Sequence, residues 1–587
     1  MFARLKKFFG QISRPRKLVA FILVGFAVCA LSLVKIQVID GPDLAAKAAS
    51  MRTITVPIQA ERGQIIDSRG TVLATSVERY NIVANPFQIR NYRPDKEGKL
   101  DLSRSGATMA AKQLAPILRV DPAELGGKLI GDTGYVVLAK QVSPQTWRKV
   151  RALQIEGITS ESTTSRAYPA GTTAANVVGY VNGENKGVAG IEFTWDTILA
   201  GISGETTKEI SPTGQVIPDG RDRTVPAQPG KTVQLTIDAD LNQFAQERID
   251  RSVKDSGAQW GAVIVQEVAT GRILALADSG AVTPLKARDD NNSMNSRIVQ
   301  SVYEPGSTGK IITFATALEK NKITPTSVVP MPYKIRMPNG QEFQDSHEHG
   351  NMTMTANGIL AESSNTGTVQ IGDRVKDEDR YDMMLKLGLG AKTNIELPGE
   401  TAGLLQKPQD WDGRQRYTTM FGQGMAASPI QISGLMSTVA NNGLRVPPHI
   451  VERWTDKSGK VHEVKPSQPL RAMSPDTAAT LVRMLESVTT SDGTAKLAAV
   501  PGYRTFGKTG TTEILGSGGG TVASFVGAAP AEDPKVAVTV VVYRPRTDIY
   551  GGTIAAPVFS DVTGAAMRML GVKPSTTTPK LYPLQPK

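Results

Sequence analysis

The longest apolar run, LVAFILVGFAVCALSLV from Leu18 to Val34, contains neither a charge nor a proline. At about 1.5 Å per residue this run reaches about 26 Å, and about 33 Å if Lys35 and Gln37 snorkel and it continues to Ile39. A membrane-spanning helix over 18–39 is therefore predicted. A cleaved signal peptide shares the basic-then-apolar pattern. Here, however, Lys35-Ile36-Gln37-Val38-Ile39 stands where a small-x-small cleavage site would follow. Phe26-Ala27-Val28 also lacks the small residue expected beside a lipidated Cys29. An uncleaved anchor fits the pattern better.

Beyond the anchor the apolar period shifts repeatedly. Residues 40–228 are turn-rich with mixed strand and helix signals; Glu61 to Leu73 reads as two short strands around the Ser68-Arg69-Gly70 turn. Leu235-Thr236-Ile237-Asp238 is a short strand ending in a helix cap, and Leu241 to Ile249 has helical spacing. Gly261 to Val265 and Ile273 to Leu276 read as strands flanking the turn at Gly271, and Val536 to Tyr543 as the last strong strand. A boundary near Gln228-Pro229-Gly230 divides the outer part. The expected organisation is a basic tail (1–17), an anchor (18–39), a pedestal or dimerisation-like α+β domain (40–228), a mixed α/β domain (229–570) and a disordered tail (571–587), the last from its Pro and Thr content.

Charge and composition narrow the function. The chain has 587 residues and a net charge of +12, which raises nucleic-acid binding. Arg4, Lys6, Lys7, Arg14, Arg16 and Lys17 supply half of that charge with no acid among them. They read as an orientation signal holding the N-terminus in the cytoplasm and the larger part outside. The remaining surplus is diffuse, so no nucleic acid is expected as a partner. One cysteine excludes a disulfide framework and a thiolate-ligated metal, and four histidines leave little for a histidine site. His347-Glu348-His349 could offer two ligands on a strand, but without a third it reads as a polar turn. No metal and no cofactor is expected.

Three short motifs carry the chemistry. Glu304-Pro305-Gly306-Ser307-Thr308-Gly309-Lys310 reads as a turn feeding a helix whose apolar stripe includes Ile311, Ile312, Ala315 and Leu318. Ser307 would sit at the helix start, where free N–H groups favour a developing anion. Lys310 would lie one turn on, close enough to bond the hydroxyl and, if desolvated, to act as its base. Ser363-Ser364-Asn365 follows a helical Ile359 to Glu362, and Lys508-Thr509-Gly510-Thr511-Thr512 suits a strand. Singly each motif is as readily structural as functional. In the order S-x-x-K, S-x-N, K-T-G they form a serine–lysine acyl-transfer site.

On these motifs the chain resembles the class B penicillin-binding proteins. The resemblance extends through Arg62-Gly63 with Asp67 and Gly70, Arg166-Ala167-Tyr168-Pro169, Gly187 to Glu192, and Phe421-Gly422-Gln423-Gly424 through Ser428-Pro429. It implies a peptidoglycan D,D-transpeptidase, with the division type favoured over the elongation type, whose C-terminal domain is an antiparallel sheet with helices on both sides. Ser307 would attack the carbonyl between two terminal D-alanines, with Lys310 as base. Ser363 would relay the proton, and Asn365 would bond the substrate amide and Lys310. Lys508, with Thr509 and Thr511 beside it and Gly510 between them, would meet the substrate carboxylate; the N–H groups of Ser307 and Thr511 would form the oxyanion hole. Stem peptides, β-lactam antibiotics, a polytopic membrane glycosyltransferase and division proteins are the implied partners. Gly309 and Thr512 depart from the family pattern, and Gly309 suggests a looser start to the helix.

Other readings share parts of this pattern. A D,D-carboxypeptidase would use the same residues, and a non-catalytic scaffold or β-lactam sensor could keep the fold. Gly502 to Thr509 also satisfies the phosphate-loop pattern G-x-x-x-x-G-K-[ST]. That loop needs a helix after it, which Gly516-Ser517-Gly518-Gly519-Gly520 will not sustain.

Overall fold

Strand Val536–Tyr543 (VAVTVVVY) is buried along seven of its eight residues, which requires cover on both faces. The computed structural model describes residues 13–92, 106–131, 133–211, 216–217, 220, 222–289, 294–491, 493–514 and 518–586. Arg4, Lys6 and Lys7 of the basic tail, Gly516 and Ser517 of the glycine run, and Lys587 lie outside the described residues.

The chain forms two units. The larger holds residues 61–77, 166–201 and 229–587; the smaller holds the rest. In chain order, the elements of the larger unit that position the site are α1 (Ala239–Ser256), β1 (Trp260–Glu267), β2 (Ile273–Asp278), α2 (Lys310–Glu319), α3 (Asn365–Gly372), α4 (Pro429–Ala440), α5 (Pro475–Glu486), β3 (Phe506–Glu513), β4 (Thr521–Ala529), β5 (Val536–Tyr543) and α6 (Gly551–Met569). The five strands make one antiparallel sheet in the order β2-β1-β5-β4-β3. Helices α1 and α6 pack together and against the sheet, while α4 packs on β1, β4 and β5 and touches α5. Helix α2 packs between α3 and α5. Local chemistry explains the ends. Asp238 caps α1 by accepting from Asp240 N and Leu241 N, both at 3.1 Å, and Gly257 ends it at φ +61°.

The larger unit is not contiguous in sequence, since segments 61–77 and 166–201 belong to it. A buried ion cluster ties these two segments to each other. Glu192 accepts from Arg62 Nε at 2.5 Å and Arg166 Nε at 2.6 Å, with all three side chains buried. Arg62 also pairs with Asp196 at 2.7 Å, and Arg166 donates to Gly63 O at 2.8 Å. Strand Ile65–Ile66 runs parallel to Thr232–Leu235, which pairs in turn with Val451–Thr455. Arg62, Gly63, Arg166 and Glu192, which contribute to the family resemblance outside the three motifs, meet in this cluster.

The smaller unit contains the apolar helix Arg14–Val34, continued to Ile39, with no residue buried. It also has a three-stranded antiparallel ribbon, Thr53–Ile58, Gly204–Glu209 and Asp222–Val225. Helices Gly106–Leu118 and Pro122–Leu129 share a core with Ile82, Leu138 and Val150.

The predicted disordered tail is also corrected. Residues 571–586 are hydrogen-bonded to the larger unit: Ser575 N to Gly502 O at 2.8 Å, Asn357 Nδ2 to Tyr582 O at 2.9 Å, and Thr355 N to Leu584 O at 3.0 Å. Arg483 lies 4.1 Å from the Tyr582 ring centroid. An extended proline-rich segment satisfies none of its carbonyls internally, so donors presented by a neighbouring surface can fix it.

Replacing Glu192 by Gln keeps the shape but leaves two buried guanidinium groups short of an anion. The expected loss is about 3–5 kcal/mol, read as a lowered midpoint in denaturant unfolding of the detergent-solubilised protein.

Candidate active site

Ser307 lies on a 3-10 turn, Gly306–Gly309, that runs directly into α2. As the second residue of that turn its N–H has no intrahelical acceptor. Two glycines set the turn's position. Gly306 has φ +56°, and a Cβ there would stand 2.1 Å from Thr512 Oγ1. A Cβ on Gly309 would stand 2.5 Å from Gly422 Cα, and Gly306 N donates to Gly422 O at 2.9 Å. The expectation that Gly309 loosens the helix start is therefore corrected: glycine is what allows the two backbones to touch. Thr512, the other departure, fills the space over Gly306.

The S-x-N segment is a tight turn between helix Ala356–Ala361 and α3. Ser363 has φ +61°, a left-handed conformation that costs a residue with a Cβ about 1–2 kcal/mol. Asp345 holds the turn in place. Its Oδ2 accepts from Ser364 Oγ at 2.8 Å, and its Oδ1 from Asn365 N and, at 2.9 Å, Thr366 N. Ser364 Oγ caps α3 through Gly367 N at 3.0 Å. His349 Nε2 lies 3.0 Å from Asp345 Oδ2 and Nδ1 2.7 Å from Gly350 O. Both ring nitrogens face acceptors, so the imidazolium is the satisfied form. The Gly350 carbonyl first, and the Asp345 carboxylate after it, raise its pKa against the opposing effect of burial. Asp345 belongs to no motif, and only the fold carries it to the S-x-N turn; its sequence signal was no more than an acid beside a polar turn.

Two fully buried lysines meet at Ser363. Lys310 Nζ donates to Ser363 O and lies 3.2 Å from Ser363 Oγ; Lys508 Nζ lies 2.8 Å from the same Oγ and 3.3 Å from Thr509 Oγ1. Burial pulls the Lys310 ammonium down to about 7, with Asp345 acting in the opposite sense. Lys508 is pushed well below the usual lysine range by burial and by the charge of Lys310. Lys508 has no acidic partner among the described residues, so a carboxylate arriving beside it would supply the missing counter-charge.

Lys508, Thr509, Gly510 and Thr511 lie on β3, an edge strand whose sole sheet neighbour is β4. Side chains at 508, 510 and 512 share one face by strand alternation. A Cβ on Gly510 would stand 2.9 Å from Pro305 O and 2.3 Å from Ser524 Oγ, so this face abuts the Ser307 turn. On the other face Thr511 Oγ1 accepts from Gly551 N at 3.2 Å, and Thr509 Oγ1 lies 3.5 Å from Thr494 Oγ1.

Two expectations change. Asn365 Nδ2 donates to Gln344 O at 3.1 Å, and no bond joins it to Lys310 among the described residues. Nor does Lys310 bond Ser307 there; the Ser363 carbonyl, the stronger acceptor, takes its ammonium. Such bonds are often long before substrate binds. The phosphate-loop reading also falls, because Gly507-Lys508-Thr509 lies within a paired strand. His347 and Glu348 are exposed, and His349 is committed to Asp345.

Comparison with known proteins gives two family matches: the penicillin binding protein transpeptidase domain over residues 261–564 and the penicillin-binding protein dimerisation domain over residues 57–235. Penicillin-binding protein PbpB of Mycolicibacterium smegmatis is 33% identical over 570 residues, covering 92% of this chain and 88% of its own. Peptidoglycan D,D-transpeptidase FtsI of Escherichia coli is 30% identical over 554 residues, covering 92% and 89%. Among solved structures, penicillin binding protein 3 of Mycobacterium tuberculosis complexed with aztreonam aligns with a TM-score of 0.70 at 28% identity, covering 91% of this chain and all of that one.

The geometry makes two predictions. With Lys310 as the proposed base, the acylation rate should rise with pH through about 7 to a plateau. Asp345→Asn, which removes the charge favouring the ammonium, should move that rise to lower pH, as read by stopped-flow acylation. Gly309→Ala should slow acylation about tenfold to a hundredfold, equivalent to ~1–3 kcal/mol of overpacking against Gly422.

Proposed function

Because the chain belongs to the class B penicillin-binding proteins of the cell-division type, we propose that its peptidoglycan D,D-transpeptidase chemistry runs through Ser307, served by Lys310, Ser363 and Lys508. The observation that carries this assignment is the convergence of both buried lysine Nζ atoms on one Ser363 hydroxyl, with the face of β3 against the Ser307 turn.

In this reading the carboxylate of a stem peptide ending in D-Ala-D-Ala pairs with Lys508, and the extended peptide lies along the open edge of β3. Ser307 Oγ attacks the carbonyl of the penultimate residue while neutral Lys310 takes the hydroxyl proton. The N–H groups of Ser307 and Thr511 hold the oxyanion, a role worth about 3 kcal/mol per donor. The C–N bond breaks, and the proton passes through Ser363 to the departing D-alanine amine. An amine of a second stem peptide then attacks the ester, gives its proton to the base, and Ser307 leaves reprotonated. Asn365, freed from Gln344, orients the substrate amide. A β-lactam enters as the first substrate does, but its leaving group stays tethered and the ester persists.

The apolar helix Arg14–Ile39 supports a membrane anchor. With the basic residues before it, we assign the N-terminus to the cytoplasm and the catalytic domain to the outside. A polytopic glycosyltransferase and division proteins are the proposed partners, reached through the anchor and the 40–228 region.

Fluorescent penicillin should label the wild type covalently and leave Ser307→Ala unlabelled; equal labelling of the two would remove Ser307 from the mechanism. With donor and acceptor stem peptides, cross-linked dimer should form. Release of D-alanine without dimer would instead make the chain a carboxypeptidase.

A further inference from the structure

A second cationic cavity lies elsewhere in the larger unit and shares no residue with the Ser307 site. Its volume is about 130 Å³, and its lining includes Gly388, Lys392, Asn394, Arg445, Ser467 and Gln468, with no acidic residue. By volume it holds about four waters, or one oxyanion of phosphate or carboxylate size.

Arg445 is the feature to be explained. It sits on the two-residue strand Leu444–Arg445, which pairs with Leu470–Arg471, and its side chain is half-buried. Its Nε is buried without a hydrogen-bond partner. No carboxylate pairs with its guanidinium among the described residues, and burial alone, opposed by no anion, pulls its pKa down. Such a group normally carries an acidic partner, because a desolvated cation without one is costly. The two acids that follow this loop are committed elsewhere: Glu400 accepts from Thr393 N and Thr393 Oγ1, both at 2.6 Å, and from Asn394 N at 3.0 Å, and Glu396 accepts from Ile450 N at 2.8 Å.

The surroundings make room for an anion. Gly388 has φ +94°, and a Cβ there would stand 2.7 Å from Arg445 Nη1, so the guanidinium lies over bare backbone. Gln431, also in the lining, has its amide donors spent on Ala391 O and Ala402 O, both at 2.9 Å. The side chains of Lys392, Asn394, Ser467 and Gln468 have no hydrogen-bond or ion partner among the described residues and remain available as donors. A planar fork of N–H groups with a lysine and neutral donors beside it is suited to an oxyanion.

We propose that this cavity binds a small oxyanion, a phosphate or carboxylate group, with Arg445 as its principal contact and Lys392 as an auxiliary one. Occupancy would tie loop 388–394 to the paired strands 444–445 and 470–471, separately from the acyl-transfer chemistry.

The test is thermal unfolding of the full chain in detergent, titrated with sodium phosphate or sodium acetate at ionic strength fixed with chloride. Wild type should show saturable stabilisation by at least one of the two anions, and which one identifies the ligand as a phosphate or a carboxylate. The apparent Kd should rise at least tenfold in Arg445→Gln and severalfold in Lys392→Ala. Without oxyanion, Arg445→Gln should be no less stable than wild type, since it removes a half-buried charge that has no acidic partner among the described residues. Absent saturation in wild type, equal affinities in all three proteins, or a folded Arg445→Gln that is less stable in chloride alone would each overturn the site. If Arg445→Gln does not fold, the affinity of Lys392→Ala decides the matter.

Discussion

The site depends on keeping water away from two lysines that share one hydroxyl. Lys310 and Lys508 are fully buried, and each reaches Ser363 Oγ. In water both would be charged and neither useful as a base. Buried together they compete for one proton environment, and the competition separates their duties. Lys310, with Asp345 acting on it, is left near neutrality and can accept a proton. Lys508, without an acid, is left waiting for one. In the proposed mechanism the substrate carboxylate completes the electrostatics of the site as it binds.

Holding that arrangement takes backbone more than side chain. The Ser307 turn is wedged between Gly422 on one side and β3 on the other, and Gly306, Gly309 and Gly510 are the positions where a methyl group would collide. The Ser363 turn is held in its left-handed conformation by Asp345, whose two oxygens gather bonds from Ser364, Asn365, Thr366 and His349. Ser307 and two lysines on such supports have little freedom to drift, which is what the proposed acyl transfer requires.

The three candidate motifs were legible in the sequence because S-x-x-K, S-x-N and K-T-G keep fixed local spacing on a helix start, a turn and a strand. It showed the apolar helix and the cap at Asp238 for the same reason: these are short-range patterns. What escaped it depends on contacts between distant segments. Gly309 looked like a weak helix start until Gly422 was seen against it, and Asp345 had no reason to be singled out until the fold set it beside Ser364. Arg62, Arg166 and Glu192 were legible as family signatures but not as one ion cluster that ties segment 61–77 to segment 166–201. The tail misled because its composition signals disorder, whereas the donors that fix it, among them Thr355, Asn357, Arg483 and Tyr503, belong to segments distant in sequence.

The segment at 582–584 also reaches the base of the site. Leu584 O accepts from Thr355 N, and Tyr582 O from Asn357 Nδ2, at the start of the helix that leads into Ser363. A Cβ on Gly358 would stand 2.2 Å from Leu584 O, so the fit there is close. The helix beneath the shared hydroxyl thus rests in part on a segment more than two hundred residues away in sequence, and a disturbance of residues 582–584 would be felt at the Ser363 turn without touching any group of the three motifs.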